Sequence, residues 1–318
     1  MDRPVVTVTR LDDLTADLVI AELHRRGVPV VRLDPGDFPG EVGLAAFLDE
    51  SGLYGHVTTT SRKLTLSAVR SVYWRRPSPC GALHGLDPQM ADWAAAQAHW
   101  GLGGVLASLP GALYVNHPWR IRDAESKPAQ LAAAAGCGFT VPPSVISNDL
   151  AIVRAFVARY GRVVYKPLWN TPVRTDDGSA RTVWVRRVDP ADLDDSISAT
   201  AHLFQAEVDK VADVRTTAVD GRLFSVRIDG AISLDWREDY SALSYSMIDT
   251  PPAVEKGVHA YLDHFGLAYG AFDFGLGRDP QDWHWYECNP SGQWAFFDSP
   301  ITERITLALA DLLQEGRQ

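Results

Sequence analysis

The segment Trp283-His284-Trp285-Tyr286-Glu287-Cys288-Asn289-Pro290-Ser291-Gly292 sets two oxygen-bearing side chains among aromatic ones and then stops at proline and glycine. That is the pattern of a strand running into a turn. Residues two apart on a strand share a face, so Glu287 and Asn289 project their oxygens the same way, roughly 7 Å apart at the backbone. Such a pair can grip one ion. The preceding run, Tyr269 to Leu276, reads as a second strand with Tyr269, Ala271, Asp273 and Gly275 on one face and Phe272, Phe274 and Leu276 on the other. Asp273 is therefore a carboxylate in an apolar strand, where burial without a partner is costly, and something cationic should meet it. Two carboxylates and an amide oxygen are hard ligands suited to Mg²⁺ held together with nucleotide phosphates. Alternatively, Asp273 and Glu287 each pair with an arginine in an ordinary sheet, and spacing alone leaves both readings open.

Cations stand at interior-looking places upstream. Lys166 ends the apolar run Val163-Val164-Tyr165 and precedes Pro167, which suggests a partly buried ammonium held toward an anion. Lys127 begins a helix region and, on its own, reads as a surface lysine. Arg215, Arg227 and Arg237 fall on neighbouring β segments, expected at 214–219, 223–228 and 231–236 around the Asp220-Gly221 hairpin signal. A guanidinium fork matches carboxylate or phosphate oxygens, although strand arginines can also simply face solvent.

The chain opens as strand, helix, strand: residues 5–9, a helix capped by Asp12 or Asp13 and carrying Leu14, Leu18 and Ala21, then 28–33. Thr9-Arg10-Leu11-Asp12-Asp13 stands where a glycine-rich dinucleotide turn would be, so a Rossmann cofactor site is disfavoured. Alternating stretches at 56–60 and 63–67 and a strand from Ser71 stopped by Pro77 follow, and an alanine-rich helix is expected over 88–109. A domain boundary is placed near residue 112. Beyond it come a short strand to Asn116, the helix of Lys127, strand–helix–strand up to Lys166, and a polar loop at 169–181. A helix through Val254, Val258, Tyr261 and Phe265 precedes the two strands already described, and a last helix carries Ile301, Ile305, Leu309 and Leu312.

Composition excludes several classes. With 318 residues, 46% hydrophobic and 22% charged, the chain is globular and long enough for more than one domain at about 150 residues each. Thirty Lys+Arg against forty Asp+Glu leave a net charge of −10, which argues against nucleic-acid binding. No apolar run approaches about 18 residues and the N-terminus lacks a signal-peptide pattern, so neither a membrane span nor export is expected and the reading is cytoplasmic. Cys80, Cys137 and Cys288 form no C-x-x-C, and the nine histidines form no H-x-x-x-H, so disulfides and zinc are not suggested.

The order of parts resembles the ATP-grasp superfamily over the whole chain: Asn116-His117-Pro118 with Lys127, Gly138, Val141-Pro142, Val163-Val164-Tyr165-Lys166-Pro167, Gln205-Ala206-Glu207-Val208, Asp213-Val214-Arg215, Asp273-Phe274, and Glu287 through Trp294. Within it, Trp74-Arg75-Arg76-Pro77, Asp235-Trp236-Arg237 and Asn289-Pro290-Ser291-Gly292-Gln293-Trp294 look like the graspetide maturases, the microviridin-type ligases that cyclise ribosomal peptides through side-chain esters or amides. The resemblance implies an α+β ATP-grasp fold whose N-terminal part is α/β: a pre-ATP-grasp domain (1–112), a central subdomain (113–208) and a C-terminal subdomain (209–318) with the metal site, the last two clamping ATP. Carried over position by position, it implies that Lys127 and Lys166 contact ATP phosphates. Gln205, Ala206, Glu207 and Val208 form the hinge against adenine, with Lys210 and Asp213 nearby. Asp273, Glu287 and Asn289 are the Mg²⁺ ligands, and Arg237, backed by Arg215 and Arg227, binds an acyl phosphate. Arg75 and Arg76 either contact substrate or close the interface between the first domain and the rest. One departure is visible: the family's phosphate-covering loop is glycine-rich, whereas 169–181 holds only Gly178 and carries Asp176-Asp177.

The implied reaction phosphorylates Asp or Glu side chains of a ribosomally made precursor peptide, with a leader and a core rich in Thr, Glu and Asp. A Thr or Ser hydroxyl or a Lys amine then displaces phosphate. A homodimer is a further expectation, and no residue is assigned as base. Two rivals are an ATP-grasp carboxylate–amine ligase acting on free amino acids or a protein tail, and a catalytically silent protein that binds nucleotide or peptide.

Overall fold

In a computed structural model, which describes residues 3–81, 85–169, 173–174 and 180–316, the strand β1 (Val5–Val8) is buried along its whole length. It pairs in parallel with β2 (Val30–Leu33) across the helix α1 (Leu14–Arg25). Asp13 caps α1, accepting from Ala16 N–H at 3.3 Å, which satisfies one of the free donors of the first turn. A meander follows, β3 (Gly43–Asp49), β4 (Gly52–Thr58) and β5 (Lys63–Thr65). The strand β3 went unread because Gly43-Leu44-Ala45-Ala46-Phe47-Leu48 does not alternate. Next come β6 (Ser71–Trp74), α2 (Pro88–Ala98), α3 (Gly104–Leu106) and β7 (Leu113–Val115). The helix expected over 88–109 is interrupted by a wider π-helical turn at 99–103, where Gly101, Gly103 and Gly104 cluster. The first sheet has the order β2-β1-β6-β7. Its fourth strand therefore lies beyond the boundary expected at 112, with Leu113 opposite Ser71.

The next part runs α4 (Pro118–Ala124), α5 (Lys127–Gly136), β8 (Ser144–Ser147), α6 (Leu150–Tyr160), β9 (Val163–Lys166), the short pair β10 (Val173–Arg174) and β11 (Ala180–Arg181), then β12 (Arg186–Arg187) and β13 (His202–Ala206). Its antiparallel sheet is ordered β12-β9-β13-β8, and α6 covers it through Val153 and Val157.

The third sheet, ordered β16-β15-β14-β17-β18, is built from β14 (Ala212–Val219), β15 (Arg222–Asp229), β16 (Ser244–Ile248), β17 (Tyr269–Leu276) and β18 (Trp283–Asn289), with α7 (Pro252–Phe265) before β17 and α8 (Ser299–Glu315) after β18. Asp220 and Gly221 both take positive φ, +48° and +77°, the geometry of the tight hairpin their sequence signals. Residues 231–236 are not the strand expected; they lead into a 3₁₀ turn at Trp236–Glu238, which Asp235 caps by accepting from Arg237 N–H at 3.1 Å. One face of this sheet packs Phe272, Phe274 and Trp285 against Phe139 and the α7 residues Val258, Tyr261 and Phe265. The other face joins Val219, Val226, Ile228 and Ala271 to α8, which also packs on α1 through Leu309 and Leu313 near Val19 and Leu23. Among the described residues no helix is long and apolar enough to cross a membrane.

Two side chains lock the first domain to the end of β18. Arg75, 4% exposed, donates Nε and Nη2 to Asp13 at 3.2 and 3.3 Å and Nη1 to the carbonyls of Ser291 and Gly292 at 3.1 and 3.0 Å. Asn116 donates to the carbonyls of Tyr269 and Pro290 and accepts from Ala268 and Tyr269 N–H. The side chains of both partners in the Arg75–Asp13 pair are 1% exposed. Arg75→Met leaves a dry carboxylate without its cation, so denaturant unfolding should show a loss of about 3 kcal/mol; a change near zero would show that the pair is not the lock.

Candidate active site

The site begins with a defect in a ladder. β17 and β18 pair Ala271 with Asn289 and Asp273 with Glu287, but the next pair is Phe274 with Trp285, so Tyr286 is an extra residue. A bulge of this kind re-aims side chains and is common beside functional sites. Tyr286 turns over Gly275, where an added Cβ would fall 2.2 Å from the Tyr286 hydroxyl, so a side chain at that position would displace the ring. The ring then lies 5.2 Å from Lys166 Nζ, and consecutive residues Tyr286 and Glu287 both line the cleft.

Around the paired carboxylates the cations arrive from separate elements. β14 sets Arg215 opposite Asp273, and its Nη1 donates to both Asp273 oxygens at 2.8 Å. Glu287 accepts from Lys127 Nζ at 2.9 Å, at the start of α5, and from Arg237 Nη1 at 2.9 Å. Arg237 also comes within 3.9 Å of Asp273 and is held by Asp235 in a two-pronged pair at 2.8 Å, the geometry in which a guanidinium is most firmly oriented. From the facing sheet Lys166 Nζ donates to Gln205 Oε1 at 3.3 Å, while Gln205 Nε2 donates to Ser144 Oγ at 2.9 Å. Lys210 chelates Asp213 at 2.7 and 2.6 Å and the Leu234 carbonyl at 2.9 Å.

Electrostatics follow from burial and these pairs. Burial pushes the Lys166 ammonium down to about 8, against the pull of Glu287. Burial would raise Glu287, but Lys127, Arg237 and Lys166 together hold it well below the usual carboxylate range. For Asp273 burial wins over Arg215 and Arg237 and the pKa is raised; burial likewise lifts Asp213 to about 6 despite Lys210. Four cations, Lys127, Lys166, Arg215 and Arg237, surround the three carboxylates Asp235, Asp273 and Glu287, so that end of the cleft favours an anionic ligand.

The cleft encloses about 610 Å³, within the usual range for a small-molecule site. Gln205, Ala206, Glu207, Val208, Lys210 and Asp213 line it with the apolar side chains Val164, Val185 and Leu234. The Glu207 carboxylate itself is turned to Arg187 at 2.8 and 2.9 Å. An adjoining pocket holds Lys127, Arg237, Glu287 and Asn289, and Arg76 edges the wider opening beside Asn289. The structure does not bring Arg227 to the site. Register pairs Arg215 with Val226 and Arg227 with Val214, so the two arginines face opposite sides of the sheet, and Arg227 closes on Asp229 at 2.8 Å. Arg75 sits in the domain interface described above and lines none of these pockets. Asp176, Asp177 and Gly178 lie outside the described residues. Sequence reading missed Tyr286, which only the bulge exposes, and the role of Asp235 in holding Arg237, although Asp235-Trp236-Arg237 was visible as a motif.

The donor set fits Mg²⁺. Asp273 and Glu287 are opposite in register with Asn289 two residues on, giving hard oxygens on one face. Among the described residues no three His, Cys, Asp or Glu side chains cluster to hold an ion by themselves. Mg²⁺ bound through one or two carboxylates plus substrate phosphates needs no such cage.

Residues 5–122 match the family model described as the MvdD pre-ATP grasp domain. Among solved structures the chain is similar to the macrocyclase MdnC from Microcystis aeruginosa MRC bound with precursor peptide MdnA, at 27% identity over 97% of this chain and 98% of that one, TM-score 0.85. It is similar to MdnB from the same organism at 26% identity over 98% and 99% of the chains, TM-score 0.79. A RiPP-associated ATP-grasp ligase of Chryseobacterium gregarium, in complex with ADP and a leader and core peptide, shares the fold at 22% identity over 99% of each chain, TM-score 0.87. No curated protein matches by sequence. Fold and site define an ATP-grasp protein with a pre-ATP-grasp domain. Its residues 5–122 are of the MvdD pre-ATP-grasp type, and over nearly its whole length the chain is similar to the MdnC macrocyclase, in line with the resemblance its motifs carry.

A phosphate bound beside Lys166 would raise its pKa from about 8, so that binding above that pH would take up a proton and affinity would fall as pH rises. Calorimetry of ADP binding in buffers of different ionisation enthalpy, about one unit above that value, should show proton uptake that disappears in Lys166→Met; uptake unchanged in the variant would remove Lys166 from the phosphate site.

Proposed function

We propose that this protein is an ATP-dependent peptide ligase that activates Asp or Glu side chains of a ribosomally made precursor as acyl phosphates and closes them onto Thr or Ser as esters, or onto Lys as amides. The observation that carries the reading is Arg237: fixed by Asp235, it reaches Glu287 at 2.9 Å and Asp273 at 3.9 Å in a cleft whose facing sheet supplies Lys166. The MdnC macrocyclase, similar over nearly its whole length, was solved with its precursor peptide, which supports a peptide substrate here.

The apolar end of the cleft, with the backbone of Gln205 to Val208 along it, would take adenine. Lys127 and Lys166 would bind the phosphates, Lys127 exchanging Glu287 for phosphate oxygen. Asp273, Glu287 and Asn289 would hold Mg²⁺, which when bound neutralises charge on the phosphoryl oxygens. Arg237 orients the incoming carboxylate and then the acyl phosphate, and because Asp235 already fixes its fork, little reorganisation is needed at the moment of reaction. The substrate carboxylate attacks the γ-phosphorus and ADP leaves. The hydroxyl or amine then attacks the acyl carbon and inorganic phosphate leaves with the bonding pair.

Incubation of a Thr- and acid-rich candidate precursor peptide with the protein, ATP and Mg²⁺ should remove one water per ring from its intact mass. Glu287→Gln should abolish the loss while circular dichroism stays unchanged. An unmodified peptide, with ATP turnover stimulated instead by free amino acids, would make the protein an intermolecular carboxylate–amine ligase.

A further inference from the structure

The second half-reaction needs a group to accept the nucleophile's proton. Of the six carboxylates on the cleft and its adjoining pocket, five are held by cations: Glu207 by Arg187, Asp213 by Lys210, Asp235 by Arg237, Asp273 by Arg215, and Glu287 by Lys127 and Arg237. Each of these carboxylates is turned to its own cation and is not free to meet an incoming hydroxyl or amine. The sixth is Glu125, in the turn that closes α4, where its own N–H donates to the Ile121 carbonyl at 2.9 Å. Its side chain is half-buried and, among the described residues, has no ion pair or hydrogen bond. It lines the pocket of about 660 Å³ that also contains Lys127, Arg237, Glu287 and Asn289. That pocket adjoins the cleft at the phosphate side, away from the Gln205–Val208 edge.

We infer that Glu125 is the general base of ring closure, taking the proton from the attacking Thr or Ser hydroxyl, or from the Lys amine, as it meets the acyl phosphate; this rests on the ligase reading above. In the step the nucleophile's O–H or N–H bond breaks with its proton going to the Glu125 carboxylate. The new bond forms to the acyl carbon, and the carbon–oxygen bond to phosphate breaks with its pair leaving on phosphate. The charged groups around the pocket suit this direction of transfer. Arg76, Lys127 and Arg237 can hold the departing phosphate, while Glu287 is tied up by two cations. Burial raises the Glu125 pKa against the opposing effect of Arg76, which brings it closer to the range in which a base works best near neutrality.

The test separates the two half-reactions. With the same peptide, ATP and Mg²⁺, hydroxylamine intercepts the acyl phosphate as a hydroxamate, which mass spectrometry counts apart from water loss. Glu125→Gln should keep hydroxamate formation and ADP release while ring closure without hydroxylamine slows by about 100-fold or more. Glu125→Asp, which keeps a carboxylate, should close rings at an intermediate rate. Ring closure at the wild-type rate in Glu125→Gln overturns the assignment. So does loss of hydroxamate and rings in parallel in both variants, because Glu125 would then serve the first step or the fold. Absence of hydroxamate with the wild-type protein would instead bring down the ligase reading itself.

Discussion

Asp273 and Glu287 stand opposite one another on paired strands, both nearly dry. Two like charges in that position are tolerable only if other parts of the chain deliver cations, and those come from four elements: Arg215 on β14, Arg237 from the loop after β15, Lys127 on α5 and Lys166 on β9. The arrangement of the three sheets follows from that requirement. α5 must bring its N-terminus to β18, and Gln130 ties them by bonding both the N–H and the carbonyl of Cys288. The small central sheet must face the large one so that Lys166 can reach in. The proposed binding site for a multiply charged anion and the electrostatic closure of the fold are thus the same set of contacts.

The same logic explains why the proposed metal ligands are found in salt bridges. Lysine and arginine are the counterions for the carboxylates here; under the proposed function, phosphate would offer them a competing partner of higher charge. Exchange of partners among groups already in place requires small side-chain motions rather than a new pocket.

Much of this was legible from residue order. The strands Tyr269–Leu276 and Trp283–Asn289 have the expected limits, Asp13 caps α1, Asp220-Gly221 turns β14 into β15, and the demand that a cation meet Asp273 is answered by Arg215. What was hidden depended on register and on contacts distant in sequence. Arg215 and Arg227 look equivalent in a list of strand arginines, yet pairing sends them to opposite faces. The bulge that swings Tyr286 beside Glu287 is invisible to an alternating pattern. The segment 231–236 carries strand-like residues, but Asp235 spends its carboxylate on the Arg237 backbone and side chain and bends the chain into a turn.

The seat of α8 bears on how the molecule comes to be made. Ile305, Leu309 and Leu313 complete the apolar layer against Val5, Val19 and Leu23, and Arg26 reaches across 285 positions to Asp311. Domains generally fold as they leave the ribosome, but this first domain cannot cover one side of its own core until α8, Ser299–Glu315, has been synthesised. Until then its α1 face stays greasy and unpartnered, an opening for chaperones and for wrong partners alike, and the arrival of α8 is the event that seals the first domain and the third sheet together.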